Sequence, residues 1–133
     1  MPPTVLVVDD DPGVRDSIRL VLRREGYDVL VAPDGTSAIR MMAAHEQAHH
    51  ICVVLCDLEM PNGSGRDVIM HFRTHHATVP IIILSGAEDS RFLDNIVQEG
   101  VSDWMRKPVT RDLLVQKVKT ASHLFTLRQQ QGV

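Results

Sequence analysis

The sequence predicts an α/β fold built on a doubly wound sheet of five parallel strands with helices on both faces. Three observations predict it. Short apolar runs alternate with stretches of helical period along the 133 residues. The run Ile51-Cys52-Val53-Val54-Leu55-Cys56 is apolar throughout, as a strand covered on both faces should be. Run after run also delivers a polar or charged residue at its end. Asp9-Asp10-Asp11 follows residues 5–8, Asp57 follows Cys56, Ser85-Gly86 follows residues 81–84, and Lys107-Pro108 follows residues 101–106. In an open parallel sheet those ends lie along one edge, where ligand sites form.

Residues 5–8 read as the first strand. Asp11-Pro12 then starts a helix, with a carboxylate cap and proline at the first helical position. Val14, Ile18, Val21 and Leu22 give it one apolar face, and Gly26 ends it. Residues 27–31 are the second strand. Pro33-Asp34-Gly35 turns the chain into a helix carrying Ala38, Ile39, Met42 and Ala43. Residues 51–57 are the third strand, 61–65 a loop, and Val68, Ile69 and Phe72 mark a third helix. Residues 81–84 are the fourth strand. Asp89 or Ser90 caps a fourth helix carrying Phe92, Leu93, Ile96 and Val97, which Gly100 stops. Residues 101–105 form a short fifth strand. Thr110 starts a last helix with Leu114, Val118, Ala121 and Phe125 on one face, and residues 129–132 read as its frayed end or the start of a linker. Right-handed crossovers between such strands place the helices on both faces.

The length suits one domain with a real core. An apolar fraction of 44% and a charged fraction of 23% are those of an ordinary globular chain, not of a disordered or fibrous one. A net charge of −3, with no Lys/Arg run longer than two, argues against nucleic acid as a direct partner. Cys52 and Cys56 lie inside an apolar strand and read as small buried hydrophobes, without a disulfide framework, which fits a reducing cytoplasm. Residues 1–4 carry neither a basic region nor an apolar stretch, so no signal peptide is expected. No apolar run approaches bilayer-spanning length, so no membrane role is expected.

If strands one and three are neighbours, Asp9, Asp10 and Asp57 converge. Crowded carboxylates repel unless a cation intervenes. Mg²⁺ suits one or two carboxylates, a carbonyl, retained waters and a phosphate oxygen, and Mn²⁺ is the alternative. Lys107 adds a positive charge and Ser85 a hydroxyl donor. Such a set is equipment for handling a phosphoryl group, with an Asp carboxylate able to serve as acceptor.

With those residues in place, the chain resembles the receiver domains of two-component response regulators. The resemblance rests on Val7-Val8-Asp9-Asp10-Asp11-Pro12, on Cys56-Asp57-Leu58-Glu59-Met60-Pro61 with Gly65 beyond it, on Ile83-Leu84-Ser85-Gly86, and on Arg106-Lys107-Pro108. It implies a flavodoxin-like sheet in strand order 2-1-3-4-5. The receiver domain would occupy residues 4–125, with 126–133 a helix end or linker. Asp57 would be the phosphoacceptor, charged by a sensor histidine kinase or a histidine phosphotransfer protein. Asp10 and Asp57 would bind Mg²⁺ with the backbone carbonyl of Glu59, and Asp9 would act directly or through water. Lys107 would pair with Asp57 and then with phosphoryl oxygens. Ser85 would donate to a phosphoryl oxygen, and Trp104 stands where the family keeps its aromatic switch. The Lys107-Pro108 bond would be cis. The readout face would be helix four, strand five and helix five, addressing an output domain, an effector protein or a second copy in a homodimer. The domain would be a regulatory phosphoacceptor and not an enzyme.

Three departures stand out. Trp104 replaces the usual Tyr or Phe, and its indole only donates. Glu59 puts a carboxylate two residues past the acceptor, and Ala87, two past Ser85, cannot orient a water. These predict that Glu59 sets the phosphoryl lifetime. Two rival readings accompany the receiver. Asp9-x-Asp11 resembles the nucleophile motif of Mg-dependent haloacid-dehalogenase-like phosphatases, although only Asp112 follows the lysine as a further acid. A phosphorylation-independent interaction module is the other, and the complete acid, serine and lysine set argues against it. Asp11 reads only as a helix cap, Met41-Met42 as core filler, and His45, His49, His50, His71, His75 and His76 as solvated helix ends.

Overall fold

The computed structural model describes residues 2–44, 50–58, 60, 65–86 and 100–131. Five strands, β1 (Thr4–Val8), β2 (Asp28–Ala32), β3 (Ile51–Asp57), β4 (Ile81–Ser85) and β5 (Asp103–Arg106), form one parallel sheet in the order β2-β1-β3-β4-β5. Four helices are described: α1 (Pro12–Arg24), α2 (Gly35–Ala44), α3 (Gly65–His75) and a C-terminal helix (Arg111–Gln130). The predicted fourth helix, with Asp89, Ser90 and the apolar positions through Val97, lies outside the described residues, as do His45 and His49.

Alternation along each strand splits the core into two layers. Leu6, Val8, Val54, Cys56, Ile81 and Ile83 face α2 and α3, meeting Ala38, Met42, Val68, Ile69 and Phe72. Val5, Val7, Val53, Leu55, Ile82 and Leu84 face α1 and the C-terminal helix, meeting Ile18, Leu22, Leu114, Val118 and Ala121. β3 sits in the middle of the sheet with all seven residues buried, as its unbroken apolar run predicted.

The differences from the sequence reading are local. Tyr27 donates its amide to the Leu22 carbonyl and so closes α1, which shifts β2 one residue on. β5 begins at Asp103, the register partner of Ile82, so Val101 is buried without belonging to the strand. Ala43 is exposed because the buried stripe of α2 follows Gly35, Ala38 and Met42. The last helix runs unbroken through Gln130, and Gln129 Nε2 donates to Thr78 Oγ1 at 3.1 Å.

This topology decides where a site forms. The chain runs from β1 outward to β2, then crosses back to β3 on the other side. The crevice at such a reversal opens beyond the C-terminal ends of β1 and β3, the two strands that end in Val8-Asp9 and Cys56-Asp57.

Candidate functional site at the ends of the strands

Asp9 continues the ladder of β1, its amide donating to the Ala32 carbonyl at 3.1 Å. Its side chain is completely buried. Asp9 Oδ1 accepts from the Asp11 amide at 2.9 Å, and its carbonyl accepts from Arg15 Nη1 at 2.7 Å. Asp11 caps α1 in extended backbone, accepting from Gly13 N at 2.8 Å and Val14 N at 3.4 Å, with Pro12 opening the helix. The cap reading of Asp11-Pro12 therefore holds. Asp10 lies exposed between these two anchored neighbours.

Asp57 is the last residue of β3 and is 8% exposed. The chain returns over it at once, with Gly65 N donating to the Leu58 carbonyl at 3.0 Å. A Cβ on Gly65 would stand 2.5 Å from the Asp57 carbonyl oxygen and 2.8 Å from Leu58 Cα. Only glycine permits α3 to start this close to the acid. Cys56 Sγ, 3.2 Å away, donates to the same Asp57 carbonyl. Burial pushes the Cys56 thiol far up, and the charges of Asp57 and Asp9 push it further, so it is a neutral donor and no nucleophile.

The far side comes from β4 and β5. Ser85 is buried one position past Leu84, the register partner of Asp57. Its carbonyl accepts from the Lys107 amide at 2.8 Å, which ties the two strand ends together. The Lys107–Pro108 peptide is cis. Lys107 Nζ reaches back across the crevice to 2.6 Å from Asp9 Oδ2 and 3.2 Å from Asp57 Oδ2. Burial opposes its charge. Hydrogen bonding to Asp9 and the fields of Asp57 and Asp9 outweigh that, so its pKa is raised and it is an ammonium at neutral pH.

Asp9, Asp10 and Asp57 each offer a carboxylate oxygen, all within 4.8 Å of one another. Like charges this close repel strongly at the dielectric of a protein surface, and one lysine does not neutralise three. Asp9 Oδ2 is buried and, among the described residues, has the Lys107 ammonium as its partner. An all-oxygen donor set with residual negative charge fits a hard divalent cation.

Four residues singled out in the sequence are thus brought together: Asp9, Asp10, Asp57 and Lys107. Ser85 stands on the same edge. Glu59 and Ala87 lie outside the described residues. Trp104 does not join the cluster. It pairs in register with Ile83 and lies half-buried against the α2–α3 layer of the core. Sequence reasoning passed over Arg15 and the hydrogen-bonding part of Cys56. Their signals were present, an arginine in the first turn after the acid pair and a thiol adjoining Asp57.

A sequence model of the response regulator receiver domain matches residues 5–119. The chain belongs to this family. Among its relatives, the transcriptional regulatory protein KdpE of Mycobacterium tuberculosis is 34% identical over 117 residues, covering 88% of this chain and 50% of that protein. The CAI-1 autoinducer sensor kinase/phosphatase CqsS of Vibrio cholerae is 32% identical over 117 residues, covering 86% of this chain and 16% of the other. The chain therefore spans half the length, or less, of these curated relatives. A crystal structure of a receiver domain protein from Clostridium thermocellum superposes with a TM-score of 0.81 at 28% identity, covering 98% of this chain and 99% of that one. The flavodoxin-like fold and the strand order that the resemblance implied are those observed. Like other receiver domains, this one is a regulatory domain of two-component signalling. No helix among the described residues is long and apolar enough to cross a membrane.

Proposed function

We propose that this receiver domain is a phosphorylation-dependent switch whose acceptor is Asp57. One observation carries the reading: a nearly buried carboxylate at the end of the central strand, 3.2 Å from a lysine ammonium and within 4.8 Å of two further acids. A sensor histidine kinase or a histidine phosphotransfer protein supplies the phosphoryl group. An Asp57 oxygen forms the new bond to phosphorus as the phosphorus–nitrogen bond of the phosphoimidazole breaks, giving an acyl phosphate and a free imidazole. Asp10, Asp57, the Glu59 carbonyl and Asp9, directly or through water, are the residues that would hold Mg²⁺ or Mn²⁺. When bound, the ion neutralises charge on the transferring oxygens. Lys107 exchanges its carboxylate partner for a phosphoryl oxygen, and the Ser85 hydroxyl donates to another.

The receiver unit comprises residues 4–125, with 126–133 the end of its last helix or the start of a linker. Phosphorylation favours one arrangement of the segment after β4 and of the face formed by the fourth helix, β5 and the C-terminal helix. Trp104 on β5 is the aromatic reporter of that shift. The readers of the face are an output domain, an effector protein or a second copy. Reduced Cys52 and Cys56 suit the cytoplasm, where such kinases present their phosphohistidine.

The test is to incubate the chain with acetyl phosphate and Mg²⁺ and map the acyl phosphate by mass spectrometry. One phosphoryl group on Asp57, lost in Asp57→Asn and without chelatable metal, is the expected result. A beryllofluoride or phosphoryl adduct on Asp9 would instead establish the phosphatase reading. Glu59→Gln should change the rate of acyl phosphate hydrolysis, and an unchanged rate would remove Glu59 from control of the lifetime.

A further inference from the structure

We infer that Arg15 is a positioning residue for the cation site, its guanidinium fixing the Asp9–Asp10 peptide and thereby aiming Asp10. The inference rests on the reading of Asp10 as a metal ligand. Arg15 sits in the first turn of α1, its own amide bonded to the Asp11 carbonyl, and reaches back to give the Asp9 carbonyl a 2.7 Å charge-assisted hydrogen bond. Every other polar group of Asp9 is already engaged: the amide with Ala32, Oδ1 with the Asp11 amide and Oδ2 with the Lys107 ammonium.

Asp10 is different. Its side chain is exposed and makes no hydrogen bond or ion pair among the described residues. Its direction is therefore set by the backbone on either side. On the far side Asp11 is held twice, by Asp9 Oδ1 and by its own capping of α1. On the near side the only hold on the Asp9 carbonyl among the described residues is Arg15. Removing the guanidinium frees one end of the peptide that carries Asp10.

Two effects of that removal have opposite signs. Deleting a cation bonded to the backbone of Asp9 should strengthen the binding of another cation nearby, by electrostatics alone. Losing the group that orients a ligand should weaken it, and such outer partners are typically worth about 10–100-fold in metal affinity. The sign of the change therefore identifies the role of Arg15, and a residue that only stabilised α1 would leave the affinity of the folded protein unaltered.

The experiment titrates the full chain with Mn²⁺ by calorimetry and follows paramagnetic broadening of the Asp10 and Asp11 amides by NMR. Arg15→Met should bind Mn²⁺ about tenfold more weakly, with broadening at Asp10 reduced, and Arg15→Lys should regain most of the loss. Arg15→Ala carries the same expectation if Arg15→Met does not fold. Arg19→Met, which removes an exposed guanidinium paired with Asp16 on the same helix, should leave the affinity unchanged. Equal or tighter binding by folded Arg15→Met or Arg15→Ala overturns the inference alone. Failure of the parent chain to bind Mn²⁺, or binding indifferent to Asp10→Asn, overturns the site reading and this inference with it.

Discussion

The two ends of the sheet's business edge are built differently. At its centre, β1 and β3 are buried along their whole lengths, Asp9 is held by hydrogen bonds to Ala32 and Asp11, and the chain beyond Asp57 is fixed by the bond from the Gly65 amide to the Leu58 carbonyl. At its margin, β5 has one buried residue in four. There Asp103 caps its neighbour's amide and pairs with Lys117 at 2.7 Å, and Trp104 lies half-buried. On the proposed function the centre needs fixed geometry, because charges would have to meet a phosphoryl group at defined positions. The margin is less buried, and on the proposed function it is the part that a change at Lys107, the residue following β5, would rearrange at small cost.

That contrast is open to breaking. The largest effect should come from the centre: Leu55→Ala removes a fully buried side chain from β3 and should cost about 2–5 kcal/mol in urea unfolding. Next is Gly65→Ala, whose added methyl meets the Asp57 carbonyl at 2.5 Å. Overpacking of this kind costs about 1–3 kcal/mol, and because the displaced backbone belongs to the proposed acceptor, phosphorylation by acetyl phosphate should slow as well. Trp104→Ala should cost only about 1–2 kcal/mol, less than truncation of a fully buried aromatic, while leaving the phosphorylation rate intact. A loss equal to that of Leu55→Ala would erase the distinction between centre and margin. Lys117→Met breaks a partly exposed ion pair and should cost less than about 1 kcal/mol.

The smallest effect lies on α3. Burial, and then the neighbouring His75, lowers the His71 pKa below 6.5 in the folded state. The unfolded chain therefore binds this proton more readily, so the contribution is intact above pH 6.5 and declines as pH falls toward the folded value. His71→Gln should flatten that limb of the stability–pH curve. An unchanged slope would show that His71 titrates alike in both states.

Much of the centre could be read from the chain alone. A strand buried on both faces leaves no polar position until it ends, so Asp57 marked its own place, as did Asp9 after residues 5–8. The margin was less legible. β5 starts where it finds Ile82, not where its apolar residues begin, and pairing partners are not written in a strand's own sequence. Arg15 escaped notice for a related reason. Its bond is to a backbone carbonyl, and every residue has one, so no motif distinguishes the target. Ala43 is the reverse case, an apolar residue counted toward a buried face that the helix turns to solvent.

The ion pair from Lys107 to Asp57 joins residues 50 apart in sequence, and the pairing of Val8 with Cys56 joins two segments almost as remote. None of the local elements contains a working site. A chain emerging from the ribosome presents its acid pair first, its acceptor much later, and the lysine only when β5 has been made. Long-range contacts of this kind form late, after the entropy of closing the intervening loops has been overcome. An unfinished copy therefore has the carboxylates without the lysine, and a misfolded one does not bring the two together. On the proposed function such a copy is chemically mute, and only a chain that has completed its fold would carry the signal.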